Sequence, residues 1–240
     1  MGKFTNGVTA VGIGLASLLG LAERSGAAEN PVTAIDIALE PDAAMVQRAE
    51  AANARLLKDY PRGFAFDETH HPHLTLLQRY VRTADLDKVY DAVGKVLDKE
   101  KAASWHLKAF KYYYIPWREN GVAGIVVAPT SYLTKLQAKL IRAVARYTTR
   151  KGTAAAFAAP PEDPEINRPT IDYVATFVPK ATGLQFNPHI TVGIASQNYL
   201  RELLTEPFDL FTFSPAGAAV YQLGNFGTAR KQLKAWELKS

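Results

Sequence analysis

Cysteine is absent from the 240 residues. A disulfide framework, a Cys-ligated zinc site, an iron–sulfur centre and a thiol nucleophile are therefore excluded. Charge is sparse too, at 21% of residues against 48% hydrophobic, a balance that excludes intrinsic disorder. The formal net charge is only +5, from 28 basic and 23 acidic residues. That excess suits an anionic partner, but it is far from the basic stripe of a duplex-DNA binder, so no duplex DNA is expected. Long apolar runs are missing as well. The stretch from Val8 to Ala22 is shorter than the roughly 20 residues needed to cross a bilayer. What is present, a chain of this length with this apolar content, fits one large domain or two intimately packed lobes.

The N-terminus begins Met1-Gly2-Lys3, continues through the Val8–Ala22 stretch and ends in Ser25-Gly26-Ala27-Ala28. A positive start, a short apolar segment and a small-x-small end read as a secretory signal peptide over residues 1–28. The expected product is periplasmic or secreted, a single bilobal domain over residues 29–240 with no stable membrane span after cleavage. The alternative is an Ala/Gly-rich terminus that stays attached, in which case the location is cytoplasmic.

Beyond residue 28 the patterning is α+β. Thr33–Leu39 alternates as a half-buried strand does, and Pro41 opens an amphipathic helix with Met45, Val46, Ala49, Leu56 and Leu57 on one stripe. Pro61-Arg62-Gly63 is a breaker, and His73–Val81 reads as a strand. Thr83 is an N-cap candidate for a helix with Leu86, Val89, Val93 and Leu97. Two apolar runs, Trp105–Ile115 and Val122–Ala128, flank Arg118-Glu119-Asn120-Gly121, where Asn-Gly predicts the positive φ of a tight turn. Thr130 or Ser131 caps a helix bearing Leu133, Leu136, Leu140 and Val144. The Pro-rich residues 150–169 predict a long surface loop, and Ile171–Val178 is either a helix capped by Thr170 or a strand. Asn187–Ala195 is a strand and Asn198–Leu204 a helix. Phe208–Phe213, Ala216–Leu223 and Ala229–Leu238 complete the strands, the last two joined by Gly224-Asn225-Phe226-Gly227. Strands and helices intermix without strict βαβ alternation, which favours antiparallel or mixed sheets.

The chemistry lies in two short segments that echo one another: Pro72-His73-Leu74-Thr75-Leu76 and Pro188-His189-Ile190-Thr191-Val192. In a strand, His73 and Thr75 share one face while Leu74 and Leu76 share the other, and the second segment repeats this. Each strand thus offers an imidazole and a hydroxyl to a cleft while its aliphatic residues anchor it in a core. Two such strands face to face suit a phosphate. Phosphodiester cleavage needs a base for the attacking oxygen and an acid for the leaving one, and histidine fills either role near neutral pH. Threonine hydroxyls can donate to the non-bridging oxygens, where charge accumulates.

This paired His-x-Thr pattern resembles the two-histidine (2H) phosphoesterase superfamily and, within it, the bacterial 2′-5′ RNA ligase/cyclic phosphodiesterase-like proteins. His73-Leu74-Thr75-Leu76 and His189-Ile190-Thr191-Val192 match both family motifs in full. The two motifs are further apart than in compact members, and residues 150–169 supply extra chain. The resemblance implies two pseudo-symmetric lobes of antiparallel or mixed sheet with outer helices and an active-site cleft between them, over most of residues 33–238. It implies His73 and His189 as catalytic residues, Thr75 and Thr191 as phosphate ligands, and no metal or organic cofactor. The implied activities are opening of cyclic phosphodiesters of the 2′,3′-cyclic nucleotide or RNA-end type, and making or cleaving 2′-5′ linkages. The partner is then a small nucleotide or RNA end, with a monomer as the expected state.

Other residues carry weaker signals. His70 and His71 read as loop residues at the cleft mouth and His106 as structural. Clustered imidazoles at 70–73 also allow a metal hydrolase, although the intervening proline and the lack of a carboxylate partner weigh against it. Tyr112, Tyr113, Tyr114 and Trp117 are candidates for stacking a base. Arg79, Lys111, Arg118, Arg230 and Lys231 are candidates for further phosphates. The remaining alternative is a non-catalytic exported module that binds nucleotides. If residues 1–28 are a cleaved leader, the processed chain should begin at Glu29, which the intact mass of the exported protein checks.

Overall fold

The computed structural model describes residues 31–67, 69–159 and 164–240. The expected leader at 1–28 lies outside them, as do residues 160–163 of the Pro-rich stretch.

The first strand, β1 (Val32–Pro41), is nearly fully buried, with Ile35, Ile37 and Leu39 on one face and Asp36 and Glu40 among small apolar residues on the other. Asp42 then stops the strand and caps α1 (Ala43–Asp59), accepting the Met45 N–H at 3.2 Å. The buried stripe of α1 is Met45, Ala49, Ala52, Asn53 and Leu56, the spacing of one helical face. After the 61–63 breaker come β2 (Leu74–Arg82) and α2 (Leu86–Leu97). Thr83 does not cap α2. It begins a 3₁₀ turn, and its hydroxyl pairs with that of Thr33 at 2.9 Å.

The next hairpin joins β3 (Leu107–Trp117) to β4 (Asn120–Val127). Its turn is Arg118-Glu119, with Arg118 at φ 51°, so the expected Asn-Gly turn is displaced by two residues and Asn120 and Gly121 already belong to β4. Gly121 serves close approach instead, since a Cβ there would lie 2.7 Å from the Tyr114 ring and 2.8 Å from Leu200.

Thr130 caps α3 (Ser131–Val144), and β5 (Thr148–Thr149) follows. The stretch expected as a surface loop is only partly one. Ala156 and Phe157 are buried, and the Phe157 ring meets Tyr80 edge-on at 5.9 Å. The ambiguous 171–178 segment is helical, within α4 (Arg168–Lys180), and its cap is Asn167 rather than Thr170. The chain ends with β6 (His189–Ser196), α5 (Gln197–Leu203), β7 (Phe211–Phe213), β8 (Pro215–Leu223) and β9 (Ala229–Glu237). The strand expected over 208–213 is thus cut to three residues. Among the described residues no helix is long and apolar enough to cross a membrane.

Among the described residues nine strands form one sheet in the order β7-β3-β4-β6-β2-β1-β8-β9, with β5 beside β2, and every pairing between them is antiparallel. Two lobes result, β7-β3-β4-β6 and β2-β1-β8-β9. They are joined by a single rung, Leu74 opposite Ile190. The expected two-lobed α+β fold is the one observed, with the sheet wholly antiparallel.

Both central strands carry a bulge at the same point of their motif. Leu76 is the extra residue between Thr75 and Leu77, and Val192 the extra one between Thr191 and Gly193. A bulge leaves a backbone group without a ladder partner, and here each freed carbonyl is met by a buried amide. Gln137 on α3 donates to Leu76 O (3.0 Å) and Ala181 O (3.2 Å). Asn53 on α1 donates to Val192 O and Phe64 O, both at 2.9 Å. Each amide therefore ties a bulge to the segment leading into the opposite strand. Gln137→Leu and Asn53→Leu should each lower stability by about 1–3 kcal/mol, because each leaves buried carbonyls unpaired; urea unfolding checks this.

Candidate active site

The motif strands bring their polar side chains together by register. With Leu74 opposite Ile190, antiparallel pairing sets His73 across from Thr191 and Thr75 across from His189. Leu74, Leu76, Ile190 and Val192 are buried in the core beneath, while His73, Thr75, His189 and Thr191 line one cavity of about 380 Å³. The four predicted site residues are thus brought together.

Each histidine is anchored in the same way. His73 Nδ1 lies 2.7 Å from His71 O, and His189 Nδ1 lies 2.7 Å from Asn187 O. A carbonyl only accepts, so the proton sits on Nδ1 in both rings. In the neutral tautomer this leaves Nε2 as the basic atom. A proline, Pro72 or Pro188, stands between each histidine and its carbonyl partner, and its fixed φ limits the freedom of that short loop.

The surroundings of the two rings differ. Burial pushes the His189 imidazole down, to about 4, with the nearby charge of His73 adding to the effect. The Tyr113 ring meets it at 4.8 Å, and burial holds the Tyr113 phenol well above its ordinary range. On the other side, His73 Nε2 is 3.6 Å from Asp36 Oδ2. Thr75 Oγ1 and Gln78 Nε2 donate to the same oxygen at 2.6 and 3.0 Å. Asp36 is fully buried, which raises its pKa against the opposing effects of His73, Thr75 and Gln78. Gln78 reaches this face because the Leu76 bulge shifts the alternation by one.

The walls are aromatic: Tyr113, Trp117, Tyr173, Phe177, Phe186 and Phe226. Trp117 and Phe226, at the tips of hairpins from opposite lobes, meet edge to face at 5.4 Å. α4 covers the β2 side, tied there by the Tyr80 hydroxyl donating to Ile171 O at 2.9 Å. Of the aromatic candidates, Tyr113 and Trp117 line the cavity; Tyr112 packs on Phe208 instead.

Among the described residues lining the cavity, Lys180 is the one lysine or arginine. None of Arg79, Lys111, Arg118, Arg230 and Lys231 is there, so none of those candidates for phosphate contact lines the cavity. Arg230 is engaged with Thr69 and His70, and Arg118 lies over Trp117 at 5.5 Å. His70 stacks on Phe64 and His71 on Tyr221. Both line a smaller space adjoining His73 rather than the main cavity, and His106 is exposed elsewhere. Reading the sequence missed Asp36, Gln78, Tyr173 and Lys180. Asp36 had one signal, a lone charge inside the apolar run Ala34-Ile35-Asp36-Ile37-Ala38-Leu39.

No protein-family model matches the chain, and no curated protein matches it in sequence. Solved structures do resemble it. The protein TT0787 of Thermus thermophilus aligns over 87% of this chain and 99% of its own, at 17% identity and a TM-score of 0.50. The fold is shared. E. coli LigT complexed with ATP aligns over 88% and 100% at 15% identity, TM-score 0.42. LigT complexed with 3′-AMP aligns over 87% and 99% at 16% identity, TM-score 0.43.

A group whose folded pKa lies below its unfolded value stabilises the fold above the unfolded pKa and destabilises it as pH falls toward the folded one. For His189 that window runs from about 6.5 down to about 4. Wild-type stability should therefore fall across pH 6.5–4, and His189→Gln should lose less; chemical denaturation at several pH values measures the difference.

Proposed function

We propose that the chain is a 2H phosphoesterase that opens cyclic phosphodiesters of the 2′,3′-cyclic nucleotide type. The observation that carries this reading is the pair of imidazoles, each held through Nδ1–H on a backbone carbonyl, on one cavity and related through one rung of sheet. His189, neutral near physiological pH, takes a proton from water as the water oxygen bonds to phosphorus. The bond from phosphorus to the leaving ribose oxygen breaks, and that oxygen takes the proton of His73 Nε2. Solvent then returns the two imidazoles to their starting states. Thr191 donates to a non-bridging oxygen. Thr75 can do so only by turning its hydroxyl away from Asp36. Two imidazoles supply both proton transfers, so the proposed reaction requires no metal.

One lysine and aromatic walls suit a diester bearing a single negative charge and one base. The contact between Trp117 and Phe226 narrows the cleft across the lobes, which favours a mononucleotide or a chain end over the interior of a polymer. The exported location expected from residues 1–28 would direct such an activity to nucleotides outside the cytoplasm.

His73→Ala and His189→Ala should each lower the opening of a 2′,3′-cyclic nucleotide by at least about 10²-fold in the presence of EDTA. Chromatography of the monophosphate product measures this. Full activity in either variant refutes the mechanism. Binding without turnover across cyclic and 2′-5′ substrates favours the binding module, and chelator-sensitive turnover the metal hydrolase.

A further inference from the structure

We propose that Asp36 is a positioning residue that makes the two histidines unequal, holding His73 as the protonated, proton-donating member of the pair. This rests on the phosphoesterase reading above.

The two motifs are equivalent in sequence, in bulge and in carbonyl anchor, yet their outer neighbours differ at one matched rung. Five residues beyond His73 stands Gln78, paired with Asp36 on β1. Five residues beyond His189 stands Ile194, paired with Val122 on β4. The same position therefore holds a carboxylate in one lobe and an isopropyl group in the other. That rung sets the difference in charge between the two sites, beside the burial that lowers the proton affinity of His189.

The geometry suits a charge partner rather than a proton trap. At 3.6 Å the Nε2–Oδ2 separation is too long for a hydrogen bond but short for a pair of opposite charges. The Nε2 proton thus stays available to a leaving oxygen, while the Nδ1 anchor keeps the ring from turning away. Asp36 is 0% exposed, and its Oδ1 has no hydrogen-bond partner among the described residues. Thr75 and Gln78 are neutral donors to Oδ2, and among the described residues His73 is the one basic group within ion-pair distance. Burial raises the pKa of Asp36, and a charged His73 ring opposes that, so each group favours the charged form of the other.

The other groups facing the pair are His189 on β6, Tyr221 on β8 with its ring 6.1 Å from His73, and Tyr173 and Lys180 on α4. The Tyr221 hydroxyl is turned to Glu40 on β1, and His71 stacks on the same tyrosine. The Tyr173 phenol is pushed up to about 12 by burial, with Asp36 adding to it, and Tyr221 is pushed up likewise by burial, so both stay neutral during turnover.

Asp36→Asn keeps the side-chain volume and an acceptor for Thr75. On a 2′,3′-cyclic nucleotide, whose ribose alkoxide needs a proton to leave, kcat should fall about 10–100-fold. The alkaline limb of its pH profile should move to lower pH by about one unit or more. A nitrophenyl phosphodiester, whose phenolate leaves unprotonated, should be cleaved at nearly the wild-type rate. Equal losses on both substrates with an unmoved limb would overturn the proposal, as would an unchanged variant. A second measurement needs neither turnover nor a folded variant. In the wild-type chain, NMR titration should show the Asp36 carboxyl and the His73 ring changing in shared steps, with the neutral form of His189 titrating apart. Independent titration of Asp36 and His73 overturns the proposal. A wild-type chain inert on both substrates refutes the phosphoesterase reading alone, and the NMR result still decides the role of Asp36.

Discussion

The two halves of the sheet meet at one backbone rung, between Leu74 and Ile190, and the arrangement of the cleft depends on it. That rung sits beside both histidines, so the local symmetry of antiparallel pairing becomes the symmetry of the site. Its shortness has local causes. Pro72 and Pro188, which precede the histidines, lack an N–H for the ladder, and a bulge follows each threonine on the far side. Buried amides on two outer helices then hold the bulges. Because Gln137 and Asn53 each bond to both a bulge and the segment entering the other motif strand, they couple the two motifs without touching the cleft.

Symmetry alone gives two interchangeable imidazoles, whereas in-line displacement needs an acid and a base. In the proposed reaction the difference between them draws on one layer further out, where β1 supplies a carboxylate and β4 an apolar side chain at the matched rung. The cost is a fully buried acid with one oxygen unpartnered among the described residues. A group so expensive to bury suits a functional site better than a stabilising core. The bond to Asp36 also occupies the Thr75 hydroxyl, so the proposed proton placement and the proposed phosphate contact are linked within the first motif.

Much of this could be read without coordinates. Strand alternation around His73 and His189 places the catalytic candidates and the aliphatic anchors on opposite faces, and the structure agrees. The long amphipathic stretches at α1, α2 and α3 are legible because an apolar stripe at helical spacing is a repeated signal. Single-residue readings fared worse. Asn120-Gly121 looks like a turn, yet the turn lies two residues earlier, because packing against Tyr114 and Leu200 draws Gly121 into the strand. The proline-rich stretch looks exposed, yet Phe157 is buried against Tyr80. Residue type alone marks the basic candidates, and none lines the cavity, whereas Lys180 does so from a helix that periodicity leaves ambiguous.

The sequence by itself determined the pair of motifs, their inward and outward faces, the exclusion of thiol chemistry and the α+β class, since each depends on side-chain type and on spacing along one strand or helix. The tertiary structure decided which strands are neighbours, and with that the single rung, the amides over the bulges and the placing of Asp36 beside one histidine only. Residues 36 and 73 are far apart along the chain, and no local propensity encodes a pairing between them. Burial of the apolar face of β1 and of β2 brings them together, and the proposed inequality of the two imidazoles rests on that packing.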